Sequence, residues 1–147
     1  MKPLLWLFIL LIFLSGCTNA GATEALQSTS LSFSSLPPDA VIFEVVNLNG
    51  QARMITKNEL LSLHAVSLEL DGKEETGFRL MDVLTLAGIK EYHSLTISGG
   101  GRSIALAADQ VNEQIILAFT KNPTLKLAAA SIPKSQWIKS VSKIEIE

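Results

Sequence analysis

The groups in this chain that bear on chemistry are few: one thiol, two imidazoles, three consecutive glycines followed by an arginine, and a short run of carboxylates. The thiol is Cys17, the only cysteine in 147 residues, so no internal disulfide can form. His64 and His93 are too far apart to make a local ligand pair, and neither H-E-x-x-H nor C-x-x-C occurs, so no metal site is expected. No G-x-S-x-G elbow presents a serine nucleophile. Asp71, Lys73, Glu74 and Glu75 read as a solvated charged turn rather than as paired catalytic carboxylates. No catalytic residue is assigned.

Gly99-Gly100-Gly101-Arg102 is the pattern with the most chemical content. Successive glycines reach positive φ and can aim several N–H groups at one anion, and an arginine adds a two-pronged donor. The same residues also suit a plain hairpin turn, the simpler reading. The third glycine of a dinucleotide fingerprint is missing, and the flanks read as strands. Arg79 stands at the start of a helical pattern, where its charge opposes the helix dipole, which points to an anion or carboxylate nearby. Trp137, between Lys134 and Lys139, could stack on a flat ligand or plug the edge of the core, and the second is favoured.

These groups must be held by a domain, and 48% hydrophobic content is enough to bury a core. With 12 basic and 14 acidic side chains and a formal charge of −2, no basic face is expected to track a phosphate backbone, so nucleic acid is not an expected partner. Lys2-Pro3 leads into an apolar run from Leu4 to Leu14, too short to span a bilayer and suited to a secretory signal. It ends Leu14-Ser15-Gly16-Cys17, which resembles the lipobox of bacterial lipoproteins. That resemblance implies a signal peptide over residues 1–16, acyl chains such as palmitate on Cys17, and an envelope location. With Thr18 rather than Asp next, it implies an outer membrane facing the periplasm in a double-membraned cell. Buried acyl chains contribute roughly 0.8 kcal/mol per CH₂, so two or three of them anchor firmly.

Residues 17–40 are rich in Ser, Thr, Ala and Gly and read as a lipidated Cys followed by a flexible linker, with Leu31 and Phe33 able to form an edge strand. Residues 41–147 read as one domain. Val41–Val46, Ala65–Leu70, Leu95–Ser98, Arg102–Leu106, Ile115–Phe119 and Ser140–Ile146 have strand patterns, the last with a bulge. Asn47–Gly50 reads as a hairpin turn, Thr56-Lys57-Asn58-Glu59 as a capping box, and Arg79–Ala87 as a helix closed by Gly88. Ala107 to Asn112 suits a brief helical turn, and 125–132 stays ambiguous. Short strands with interspersed helices predict an α+β fold with a mixed sheet.

The stretch Thr76-Gly77-Phe78-Arg79-Leu80 through Ala87-Gly88-Ile89 resembles the Thr-Gly and Ala-Gly segment of the sulfite-oxidase-type molybdopterin-binding family. The turn at Ser98–Ser103, the segment Ile116–Asn122 and the closing Ile138–Ile146 follow in that family's order. The resemblance implies that family's fold and, by resemblance only, molybdopterin. Its metal-ligating cysteine lies just upstream of the Thr-Gly segment, and the matching stretch here, Ser67–Asp71, has none. The family's Gly-Pro-x-Arg element is reduced to Ser131-Ile132-Pro133-Lys134. Hence no cofactor is expected. The anticipated function is an envelope-anchored, non-catalytic binding or accessory module. Its candidate ligand site comprises Thr76, Gly77, Arg79, Gly99, Gly100, Gly101 and Arg102, for an anionic small molecule or a partner protein. A molybdopterin-dependent oxidoreductase subunit and a purely structural lipoprotein are the alternatives.

Overall fold

Alternation of side chains across a pleated strand sends every second residue to the core, and strands make up nearly half of the described residues. A computed structural model describes residues 33–147. The expected signal peptide, Cys17 and its acyl chains, and Leu31 lie outside the described residues. The elements run β1 (Val41–Val46), β2 (Ala52–Thr56), α1 (Lys57–Leu61), β3 (Ala65–Leu70), β4 (Lys73–Arg79), α2 (Leu80–Leu86), β5 (Ser94–Gly99), β6 (Arg102–Ala107), β7 (Ile115–Phe119), β8 (Leu125–Ala129) and β9 (Val141–Ile146). One sheet has the order β2-β1-β9-β5-β6, with β1 and β9 parallel and the other pairs antiparallel. The other, β3-β4-β7-β8, is antiparallel throughout.

The α+β expectation is overturned. Strand accounts for 45% of the described residues and helix for 17%, so the fold is mostly β. The physical reason lies in two segments. Lys73–Glu75, expected as a charged turn, is the start of β4, which pairs with β3 on one side and β7 on the other. The ambiguous stretch from Leu125 becomes β8, paired along its length with β7. The helix expected from Arg79 exists but is only seven residues long. Its helical spacing is enough for about two turns against β4 and β7, not for a layer of its own.

Buried side chains of both sheets form one contiguous cluster, with Phe43, Ile55, Leu95, Ile97 and Ile144 from the five-stranded sheet and Phe78, Leu117 and Leu127 from the four-stranded sheet. Ile115–Ala118 of β7 are all buried, so that strand is covered on both faces. The backbone N–H of Leu127 in β8 donates to the Ile138 carbonyl at 2.9 Å, tying one sheet to the segment that enters the other. Trp137 in that segment is buried, and its indole N–H donates to the Ile132 carbonyl at 3.0 Å. The core reading of this side chain holds. Lys126 and Lys134 flank its ring, each paired with an acid, Glu75 and Asp71 respectively.

Residues 33–40 are packed onto the domain. Phe33 is buried against Phe119 and does not lie in a strand, because the core offers it an aromatic pocket. Lys57, itself buried, donates from Nζ to the carbonyls of Ser34 and Leu36 at 2.6 and 2.5 Å.

Local signals in the sequence correspond to real caps. The N–H of Glu59 donates to Thr56 Oγ1, and the N–H of Thr56 donates to Glu59 Oε2 at 2.9 Å. Gly88, at φ +81°, closes α2, with Gly88 N–H donating to the Thr85 carbonyl and Ile89 N–H to that of Leu84, a Schellman closure. The expected bulge in β9 is present: Ser98 pairs with Lys143 but Gly99 with Val141, leaving Ser142 as the extra residue.

The capping box carries a pH dependence. The Thr56 backbone N–H and then the Arg53 guanidinium hold the Glu59 carboxyl below its ordinary value. A depressed folded-state pKa means that the added stability is present above the ordinary value of 4.5 and is lost as pH falls through the lower folded value. Urea unfolding at about pH 6 and about pH 3 is expected to show a smaller acid-induced loss in Glu59→Gln than in the native chain. Equal losses in the two would contradict the cap's role.

Candidate functional site

β5 and β6 are joined by a two-residue turn, Gly100-Gly101, with φ of +57° and +76° at the two positions. Positive φ at both central residues is the hairpin geometry that matches strand twist, and glycine adopts it without strain. Gly99 meets a different demand. A Cβ there would lie 2.2 Å from the Ser140 carbonyl oxygen, so its hydrogen lets β9 approach at the bulge. Ser140 itself has φ +54°. The glycine run therefore makes the turn, as the simpler reading held, and also creates a surface feature.

That feature is an open hollow of about 370 Å³ lined by Ser98, Gly99, Gly100, Gly101, Arg102, Ser103 and Ser142. Ser98 and Ser103 are opposite one another across the β5–β6 pair. The Ser142 hydroxyl donates to the Ser98 carbonyl at 3.3 Å. Arg102 is exposed and has no ion pair or side-chain hydrogen bond among the described residues. Lys139, also exposed and without an ion pair there, places its Cβ and backbone carbonyl beside Gly100. The hollow thus has hydroxyls, glycine backbone and the unneutralised Arg102 side chain in its lining, a donor set suited to an anion.

The rest of the expected site lies elsewhere. Thr76, Gly77 and Arg79 are in β4 of the other sheet, and none of them lines this hollow. Thr76 Oγ1 is hydrogen-bonded to Ser67 at 2.7 Å across β3 and β4. Gly77 faces Ala118 at a point where a Cβ would lie 2.1 Å from the Leu117 carbonyl oxygen, so its small size serves strand pairing. Arg79 is the N-cap of α2, and its Nε is buried with no hydrogen-bond partner. The two halves of the expected ligand site stand on different sheets.

A second hollow of about 450 Å³ was not anticipated from the sequence. Leu48 of the β1–β2 turn, Lys90, Glu91, Tyr92, His93 and Ala108 line it. Burial pushes the Tyr92 phenol up from its ordinary value. The available signals were an exposed leucine at a turn tip and an aromatic side chain in a polar connection, neither specific. His64 and His93 are both exposed, and only His93 lines this hollow.

The side chains at hand do not fit thiolate-held molybdenum. β3 stands where the resemblance puts the metal's cysteine, and it offers Ser67, already bonded to Thr76, with no sulfur. The chain's one thiol, Cys17, lies outside the described residues. No protein-family model matches the chain, and no curated protein matches it.

Proposed function

We propose that the chain is a lipid-anchored module of the bacterial cell envelope, held through Cys17, whose domain binds an anionic group at the glycine-turn hollow and performs no redox chemistry. A distant relationship to the sulfite-oxidase-type molybdopterin-binding family is part of this reading, without that family's metal centre. The observation that carries the binding half is Arg102, exposed beside Gly100 and Gly101 and three serines with no acid paired to it. A buried or paired guanidinium would have made the turn structural only. The Leu14-Ser15-Gly16-Cys17 box supports the anchoring half.

Two measurements test the halves separately. Intact-mass analysis of protein extracted from membranes should show a chain beginning at Cys17 with added acyl mass, and Cys17→Ser should release it to the soluble fraction. An unmodified Cys17 would end the anchoring claim. Titration with inorganic pyrophosphate should give weaker binding by about tenfold or more in Arg102→Gln, the scale of one charge-assisted hydrogen bond. Unchanged affinity would remove Arg102 from the site. Stoichiometric molybdenum in protein from its native envelope would instead favour the oxidoreductase subunit.

A further inference from the structure

We infer that the outer edge of β6 is a docking site for an extended peptide, which adds as an antiparallel strand and places its C-terminal carboxylate in the hollow beside Arg102. This rests on the anion-binding reading of that hollow and names the class of ligand.

The phase of the ladder identifies which backbone groups point outward. Ser94 and Glu147 exchange both of their backbone hydrogen bonds, at 2.9 and 3.0 Å, so Ser94, Thr96 and Ser98 of β5 face β9. Leu95, Ile97 and Gly99 then face β6, where their partners are Leu106, Ile104 and Arg102. What remains on β6, Ser103, Ala105 and Ala107, directs N–H and C=O away from the sheet. The Ala107 N–H is already taken by the Gln110 side chain at 2.9 Å, which closes the far end of the edge. Ser103 and Ala105 are left, four backbone groups in a row that begins at the glycine turn.

Edges of sheets are usually guarded by charge, proline or a bulge. Among the other outer strands, β3 carries Glu69, and β2 carries the Arg53–Glu59 ion pair with its Thr56 N–H held by Glu59. The β8 backbone bonds to Ile138. β6 has none of these guards after Arg102. Its remaining residues are Ser103, Ile104, Ala105, Leu106 and Ala107, and the three that face outward are small and exposed.

Direction follows from charge. A strand antiparallel to β6 ends beside the start of β6, where Arg102 lacks an acidic partner. A terminal carboxylate there meets the Arg102 guanidinium beside Ser103, while the preceding residues pair with Ser103 and Ala105. Main-chain bonds of this kind give affinity and leave specificity to alternate side chains.

The test selects ten-residue peptides with free C-termini from a random library on the whole chain. Fluorescence polarisation of the enriched peptides then compares free with amidated C-termini. Amidation is expected to weaken binding at least tenfold, as is Arg102→Gln. Ala105→Pro removes an outward N–H that the sheet does not use, and it should abolish binding while the melting temperature stays near native. Ser103 and Ala105 amides should gain hydrogen-exchange protection on binding. If amidation has no effect and an internal Asp or Glu is enriched instead, the terminal carboxylate is wrong. If pyrophosphate binds through Arg102 but no peptide is enriched, or Ala105→Pro binds peptide normally, strand addition is overturned and the anion site stands. If neither pyrophosphate nor peptide responds to Arg102→Gln, the anion site itself has failed. A dimer in solution that Ala105→Pro converts to monomer would show a second copy on this edge and overturn the peptide assignment.

Discussion

Gly77→Ala is expected to cost about 3 kcal/mol or more, at the top of the range for forcing atoms into a filled interior. The methyl group would sit 2.1 Å from the Leu117 carbonyl oxygen, 2.5 Å from the Ala118 Cα and 2.7 Å from the Leu117 carbonyl carbon. All three are backbone atoms of the paired strand, which cannot rotate aside as a side chain does. Relief requires β4 and β7 to part, and both are buried at that point. Gly72→Ala is the control. It sits at φ +70° in the β3–β4 turn with nothing within 4 Å of the added carbon, so only the left-handed strain applies, about 1–2 kcal/mol. Chemical denaturation of the two variants should rank them clearly. Equal costs would mean that β4 and β7 are not paired as described.

Phe33→Ala should cost about 3–5 kcal/mol, the usual figure for emptying a buried aromatic site. Phe33 is 2% exposed, and its ring centroid lies 5.3 Å from that of Phe119, which lies 5.2 Å from Phe78. An exposed leucine, Leu48, should by contrast be replaceable by Ala within about 0.5 kcal/mol. The comparison decides where the domain begins. A chain trimmed to residues 41–147 would lose Phe33 and also the two carbonyls that Lys57 bonds, so the aromatic packing and those hydrogen bonds are lost together. It should therefore unfold at lower urea than the Phe33→Ala variant. A trimmed domain as stable as the chain that retains residues 33–40 would make that segment a linker after all.

The sequence showed the glycine turn but not its setting. Gly100 and Gly101 are recognisable because a two-residue hairpin needs positive φ at both positions, a requirement that involves only neighbours in the chain. The hollow beside them also needs Ser142, which arrives from β9 through a bulge. Arg79 stands out in the sequence by its place at a helix start, and its Nε is buried without a hydrogen-bond partner. Nothing near it in sequence could show that it belongs to the other sheet. Trp137 was legible as a core residue and Lys134 as its neighbour, but not Lys126, which reaches the ring from β8.

By itself the sequence determined the pieces whose energetics close within a few residues: the Thr56–Glu59 cap, the Gly88 helix stop, and the Asn47–Gly50 and Gly100-Gly101 turns. Only the tertiary structure decided that the fold is mostly β and that Thr76–Arg79 and Gly99–Arg102 stand on different sheets. The reason is the range of the interactions involved. A cap or turn is satisfied by adjacent backbone groups, whereas Lys73–Glu75 is a strand because it pairs with Leu68–Leu70 of β3, and β4 becomes an interior strand only where Gly77–Arg79 pair with the distant β7. Polar side chains at a hairpin tip look the same, in sequence, whether or not such a partner exists.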